Sequence, residues 1–461
     1  MSLLSSLYTG SSGLFVNQKG IEVTGNNVSN VNTPGYSRQT LRLSPSPTLE
    51  FRGQMIGQGA TVSSIDRETD SFVLGQLNKQ GAEYGEANAK TMPLTELERI
   101  IGIDSSSLDK EINNFYDAWQ SLSGNPSGNV ERQQVMQEGD DLADHLQKMV
   151  KDLNATTDGI NDKLAGDITN LNRQLKEIAT LNSQIASAES TGISANSLRD
   201  QRDLLIQEVS ETTGAKSYSE ANGMVSLQLP NGVPLVSADK ANEIEVISAA
   251  GTLELQVTNG ASTSTLDRDD FGGAIKGQLD IRDETIPVVL DKLDQLAFGL
   301  ANAVNTVHSS GIDANGNTGQ DFFSYTSGTP HPWSGAAATL SMTLTNPNEV
   351  AAGSGGTYLP GDNSNCLKIT GLQDKALINN STINDYYNSI ASDIGLEVSQ
   401  NKQTLASTKD AMVQLQNMRD NTSGVSIDEE MLMLIQYQTG YEAAAKYLST
   451  VDEMLNTLMQ L

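Results

Sequence analysis

Asp313, Asn315 and Asn317 stand at the first, third and fifth positions of a possible loop, the spacing at which short oxygen-bearing side chains converge on calcium. The sixth position, which needs glycine for a sharp turn, is Thr318, and the twelfth, which needs a bidentate acid, is Ser324. An Asx turn, with the Asp carboxylate accepting from nearby backbone N–H groups, accounts for the same residues without a metal. Gly57-Gln58-Gly59 begins like a dinucleotide-binding loop and fails at Val62, where the third glycine is required. No phosphate-binding loop with its lysine, no serine elbow, no H-E-x-x-H and no C-x-x-C occurs.

The remaining reactive residue types are scattered. His145, His308 and His331 have no metal-ligand spacing, and Cys366 is the single cysteine and cannot form an internal disulfide. It reads as a small apolar core residue, and His308 as a helix-end residue near a carbonyl pole. Adjacent acids such as Asp140-Asp141 and Asp269-Asp270 read as solvated surface. Met431-Leu432-Met433-Leu434 falls at helical spacing and reads as core or interface rather than as a ligand groove. The expectation is a chain without catalytic residues, cofactor or metal.

With 461 residues the chain is too long for one hydrophobic core. Its 57 acidic against 29 basic side chains leave a formal charge of −28, which argues against nucleic acid or an anionic membrane as partner. No apolar run reaches the roughly 18 residues of a membrane span, and the first residues lack the pattern of a cleaved signal peptide.

The elements that would position any function are helical at both ends. Leu7, Leu14, Ile21 and Val28, preceded by Leu3, recur every seven residues as the seam of a helix that packs along a partner. Gly10, Gly13, Gly20 and Gly25 weaken that helix, each by roughly 1 kcal/mol against Ala, so it needs something packed on it; small residues also allow close approach. Near the other end Leu434, Tyr437, Tyr441, Ala444, Leu448, Val451, Leu455 and Leu458 form a second seam at spacings of three and four. Ser426 is a cap candidate followed by Asp428, Glu429 and Glu430 at the positive pole of that helix. Lys19, Arg38 and Arg42 near the first seam are opposite in sign to those acids, which suggests that the ends lie side by side.

Between the ends, apolar stripes mark further helices: Leu108 to Leu122, then Leu142, Leu146 and Val150, then Leu164 to Ile185, then Val289 to Val307, then Leu405 to Leu415. Asn182 is a polar position in the third of these that could fix register. Residues 215–271 alternate as hairpins around Pro230-Asn231-Gly232 and Ala250-Gly251. The second insert, 313–371, is rich in Gly, Thr, Ser and Asn with a strand-like Leu340–Thr345, and is expected to hang from loops. The fold class expected is mainly α with β-rich inserts, a discontinuous rod of long antiparallel helices with paired terminal helices. The expected domains are a terminal coiled-coil pair (1–43 and 426–461), a helical rod (44–214, 272–312 and 372–425) and a β-rich outer module (215–271 and 313–371).

Gly25-Asn26-Asn27-Val28-Ser29-Asn30-Val31-Asn32-Thr33-Pro34-Gly35-Tyr36 resembles the N-terminal signature of the rod, hook and hook-associated proteins of the bacterial flagellum. Asn and Gly tolerate left-handed backbone, so this run can end a helix in a defined turn. Ser423 to Glu430, with Gln436-Tyr437-Gln438 and Tyr441-Glu442-Ala443-Ala444, is similar to the C-terminal signature of the same family. Leu198-Arg199-Asp200-Gln201-Arg202-Asp203-Leu204-Leu205, Gly311 to Gly316 and Asp321-Phe322-Phe323 look like the hook-associated branch. That resemblance implies an extracellular ring of identical subunits joining hook to filament, terminal helices paired in an inner tube, and inserts facing outward. It also implies as partners further copies of the chain, the hook protein, a second (FlgL-type) hook-associated protein and a FlgN-type export chaperone on the C-terminal helix, with export by the flagellar type III apparatus. Two alternatives stand beside it: a secreted enzyme with its site in 313–371, and a sibling axial protein of hook or filament type.

Overall fold

A computed structural model describes residues 3–51, 54–102, 107–249, 252–259, 262–355 and 359–460. The chain is mainly helical with several small antiparallel sheets, and divides into two compact units, Met1–Gly85 with Ile168–Gly273 and Ser407–Leu461, and Glu86–Asp167 with Ala274–Ala406.

In the first unit α1 (Leu3–Ser29) is followed by strands β1 (Gln39–Pro45), β2 (Leu49–Phe51), β3 (Gln54–Ile56) and β4 (Ala60–Arg67). β1 pairs antiparallel with β4, Leu41 opposite Ile65, with an irregularity between Arg42 and Leu43; β2 and β3 form a short hairpin. Residues 44–67 were expected within the helical rod. Strand wins here because Pro45 and Pro47 push their predecessors out of the α region and Leu41, Leu43, Val62 and Ile65 suit a pleated surface.

Four helices follow: α2 (Ser71–Ile101), α3 (Leu108–Gly124), α4 (Asn129–Ser190) and α5 (Asn196–Thr213). α4 is one helix of 62 residues, where the apolar pattern suggested two. Gly159 and Gly166 have open space around them, and the roughly 1 kcal/mol each costs does not break a helix buried along Leu153, Ile160, Leu164, Ile168, Leu171 and Leu175. The sheet β5 (Lys216–Ser219), β6 (Val225–Gln228), β7 (Pro234–Ser237), β8 (Lys240–Ala241) runs in chain order, and β9 (Glu243–Ala249), β10 (Thr252–Asn259) and β11 (Ser262–Leu266) form a second meander. Ala250-Gly251 lies outside the described residues. Asn182 is fully buried on α4, donating 2.7 Å to Val225 O and 2.6 Å to Ala238 O and accepting from Val225 N and Arg202. It anchors the first sheet to α4 instead of setting a helix register.

The second unit is built on α3, the early part of α4, α6 (Gly273–Asp280), α7 (Ile286–His308) and the first part of α10 (Ile383–Ser423), with one π-helical turn (Ile281–Thr285) before α7. The stripe Leu108, Ile112, Phe115, Trp119, Leu122 is wholly buried, as are Leu293, Leu296, Leu300 and Val304 of α7. The second insert departs from a β-rich outer module. Its strands β12 (Phe323–Ser324) and β13 (Ser341–Met342) have two residues each, beside the short helices α8 (Ala336–Thr339) and α9 (Ser364–Thr370). Phe322, Ala336, Leu340, Val350, Cys366 and Ile369 from this segment are buried in the core of the unit. Phe322 packs edge-on to Phe115 with centroids 5.7 Å apart, and a Cβ on Gly139 would stand 2.7 Å from its ring. Apolar payload decides the placement, whatever the polar composition around it. The two inserts fall in different units, 215–271 in the first and 313–371 in the second. The chain ends with α10 (Ile383–Ser423) and α11 (Ile427–Met459).

Candidate assembly interface

α1 and α11 pair antiparallel within the first unit. Gly10 lies at Leu448, Gly13 at Ala444, Asn17 at Gly440, Gly20 at Tyr437 and Asn27 at Glu430, so each step along α1 is matched by a step back along α11. The approach is close: an added Cβ would stand 2.7 Å from Leu448 Cγ at Gly10 and 2.5 Å from Tyr437 Cδ1 at Gly20. Glycine is therefore required at these two contacts, and its propensity cost is offset by the packing it admits.

The contact face of α1 is thus its glycine face. Leu7, Leu14, Ile21 and Val28 border it, Leu7 exposed and the other three half-buried, because a leucine at the centre would hold α11 away. The side chain of Leu3 lies outside the described residues. On α11, Val451 is buried and Leu434, Tyr437, Leu448 and Leu455 are half-buried on the side of α1, while Tyr441 and Leu458 remain 41% and 57% exposed. Apolar side chains also stand exposed: Tyr8 and Phe15 on α1, and Leu432, Ile435 and Met454 on α11, while Tyr447, 42% exposed, lies with one edge against Gly10. Ser426 occupies the N-cap position, but its side chain makes no capping bond.

The asparagine-rich run ends α1 and carries the chain into β1. Asn30 Nδ2 donates 3.0 Å to Asn26 O, and Thr33 Oγ1 donates 3.1 Å to Asn30 Oδ1. Asn32, Thr33 and Pro34 are exposed. Gly35 has φ +79° with Leu204 against it, which leaves no easy place for a side chain. The Tyr36 hydroxyl lies 2.9 Å from Asn26 Oδ1 and 2.8 Å from Asn27 Oδ1; burial, with Asp200 and Glu430 nearby, pushes this phenol up to about 12. Asn27 is 1% exposed: its Nδ2 donates to Gln39 O and to Glu430 Oε2, and its Oδ1 accepts from Gln39 N.

Charge completes the join. Arg38 Nε donates 2.8 Å to Glu430 Oε1, a second nitrogen of the same guanidinium lies 3.1 Å from Glu429, and Arg38 N donates to Ser423 O. Lys19 pairs within its own helix with Glu22, and Arg42 pairs with Asp66 and Glu68. Asp200 on α5 accepts from Ser37 N and from Arg67, which also pairs with Asp203. Arg202 is buried on Asn182 and Gly223 O, and desolvation lowers its pKa. Motif loop, α5 and the ends of α10 and α11 enclose a cleft of about 750 Å³. In the second unit the Asp313 carboxylate accepts from Asn315 N and Asn317 N as an Asx turn. Among the described residues no group of three His, Cys, Asp or Glu could hold a metal ion.

Residues 94–323 match the helical domain of the flagellar hook-associated protein FlgK, residues 7–36 the flagella basal body rod protein family, and residues 419–461 the C-terminal region of the flagellar basal body rod FlgEFG proteins. The chain belongs to the hook-associated proteins of the flagellar rod family. A flagellar hook-associated protein 1 from Bacillus subtilis (strain 168) is 27% identical, over 99% of this chain and 98% of its own length. Its counterparts in Salmonella typhimurium and Escherichia coli (strain K12) are each 24% identical over 98% of both chains. In fold, the flagellar hook junction protein FlgK from Burkholderia pseudomallei superposes with a TM-score of 0.70 at 17% identity, covering 76% of this chain and all of that one. For a hook-associated chain, the family motifs are joints rather than reactive groups: the N- and C-terminal signatures meet at Asn27 and Glu430, with Arg38 beside them, and the third reaches the same loop through Asp200 on Ser37 N. The sequence sets Glu430 among the first-turn acids of α11 opposite in sign to Arg38 and within the C-terminal signature; its contact with Asn27, across 403 residues, leaves no signal there.

Proposed function

We propose that this chain is the structural subunit that joins hook to filament in the bacterial flagellum, outside the cell, and that it self-assembles through α1 and α11. The observation that carries this reading is an antiparallel helix pair that still exposes Tyr8, Phe15, Leu432, Ile435 and Met454. Exposed apolar rows on both helices of a pair mark surfaces that associate. Leu7, Leu14, Ile21 and Val28 border the internal seam and stand with these rows as residues a neighbouring copy would cover. Among the described residues no helix is long and apolar enough to cross a membrane.

The partners that follow are further copies of the chain, the hook protein on one side and a second hook-associated protein on the other. Before export, a chaperone of the FlgN type would cover the apolar flank of α11. The domain division proposed with this function is a terminal helix pair for assembly, the remaining helices with the 313–371 segment for spacing, and the 215–271 insert for outer surface. To test the reading, purified chain is added to isolated hooks, followed by the second junction protein and filament subunits. Filament growth only when this chain is present supports it; growth without it, or binding along the filament instead of at hook ends, overturns it.

A further inference from the structure

The face that α1 offers to α11 is made of notches: Gly10, Gly13 and Gly20, with Asn17 and Asn27 between and beyond them. A glycine notch admits any side chain that fits it and so excludes few. Both helices also repeat their apolar residues every seven positions, Leu7, Leu14, Ile21 and Val28 on one and Leu434, Tyr441, Leu448 and Leu455 on the other. Sliding α11 by one such repeat, about 10 Å, sets Leu455 at Gly10, Val451 at Gly13 and Ala444 at Gly20. Sliding it the other way sets Tyr441 at Gly10 and Tyr437 at Gly13. The first slipped pairing again fills all three notches with apolar side chains and the second fills those at Gly10 and Gly13, so apolar contacts alone do not hold the native register.

One contact has no equivalent in either. Glu430 is 2% exposed, its Oε2 accepts 3.0 Å from Asn27 Nδ2 and its Oε1 accepts 2.8 Å from Arg38 Nε. Asn27 is itself fixed by both backbone groups of Gln39 and by the Tyr36 hydroxyl, and Arg38 by Ser423 O and Glu429. A slide of one repeat carries the carboxylate either past the end of α1 or opposite Gly20, and leaves the Asn27 amide with Gln39 O as the one acceptor of its two. A buried charge or amide stripped of its partners is strongly disfavoured, whereas the apolar contacts are merely exchanged. We propose that Glu430 is the positioning residue that selects the register of α11 on α1, acting through Asn27 and Arg38. The apolar rows exposed on the two helices are thereby held in one fixed stagger. The inference concerns the single chain and does not depend on where that chain assembles.

Register can be read by disulfide trapping in the full-length chain with Cys366→Ser as background. Asn17→Cys with Gly440→Cys reports the native register, since a Cβ at 440 meets Asn17 itself at 2.4 Å. Asn17→Cys with Tyr447→Cys, or with Met433→Cys, reports a slide of one repeat in either direction. With Glu430 in place, oxidation should close the 17/440 pair and neither slipped pair. Glu430→Leu should raise closure of at least one slipped pair by about tenfold or more. Glu430→Gln, which keeps an acceptor for Asn27 and loses the charge for Arg38, should fall between. A parent that does not close 17/440 overturns the proposal, as does Glu430→Leu closing 17/440 alone. If Glu430→Leu closes no pair, the Gln variant decides: slipped closure sustains the proposal, and 17/440 alone overturns it.

Discussion

The ring of Tyr437 lies across Gly20 so closely that a Cβ there would stand 2.5 Å from Cδ1, whereas Gly25, further along the same helix, has nothing within 4 Å of that position. Two glycines of one helix therefore predict opposite signs. Gly20→Ala gains about 1 kcal/mol of helix propensity and loses about 1–3 kcal/mol to overpacking, a net weakening of the α1–α11 pair. Gly25→Ala keeps the gain alone and should stabilise by about 0.5–1 kcal/mol. Denaturant midpoints followed by helical circular dichroism check both. A Gly20→Ala chain as stable as the Gly25→Ala chain would mean the helices are further apart than described.

Spacing at three and four made α3, α7 and α11 legible, because each buries one stripe and exposes the rest. It misled on α1, where the stripe of Leu7, Leu14, Ile21 and Val28 is the larger apolar feature but the glycines set the contact. Which face of an amphipathic helix touches its partner depends on how near the partner comes, and a single-helix pattern holds no information on that. Phe322-Phe323 in a Gly- and Asn-rich segment showed no periodicity at all. Their burial is decided by Phe115, Trp119 and His308, which come from other elements. Glu430 was hidden for the same reason: nothing in the first turn of α11 distinguishes it from Asp428 and Glu429.

Leu448 stands over Gly10 at the middle of the seam. Leu448→Asp forfeits about 1.5–3 kcal/mol of burial and adds the desolvation of a carboxylate. The expected outcome is loss of binding to isolated hooks. Melting of the second unit, to which α11 contributes no residue, should be nearly unchanged. Adding purified variant to hooks bypasses export, so a chaperone defect does not mask the result. Normal binding would remove the seam from the mechanism.

The second insert was expected to hang from loops as part of an outer module. Its burial predicts the reverse. Phe322→Ala should cost about 3–5 kcal/mol, as a large core side chain does, and removal of 313–371 should unfold the second unit. Calorimetry with near-UV circular dichroism, which reports the packing of Trp119, distinguishes the outcomes. A deletion variant that retains its cooperative transition would return the insert to the periphery.

His308 is wholly buried beside Phe322 and Trp119. Its Nδ1 lies 2.5 Å from Gln320 O and its Nε2 accepts 2.9 Å from Ala351 N, so the neutral ring with the proton on Nδ1 satisfies both. Burial brings its pKa down to about 4; the Gln320 carbonyl and the charges of Asp321 and Asp313 oppose that fall, and Arg132 adds to it. A second proton would turn the Nε2 acceptor towards the N–H of Ala351 as a donor. Because the folded value lies below the ordinary one of 6.5, the unfolded chain takes up the proton first as pH falls. The stability is therefore complete above about pH 6.5, declines through the interval down to about pH 4, and amounts to roughly 3 kcal/mol at most. His308→Gln should be less stable than the parent at pH 7.5, and the difference should shrink as pH is lowered to 4.5. Carboxylates that titrate in the same interval are common to both proteins and cancel in the comparison. Two stability curves that run parallel from pH 7.5 to 4.5 would show that the ring is not held neutral.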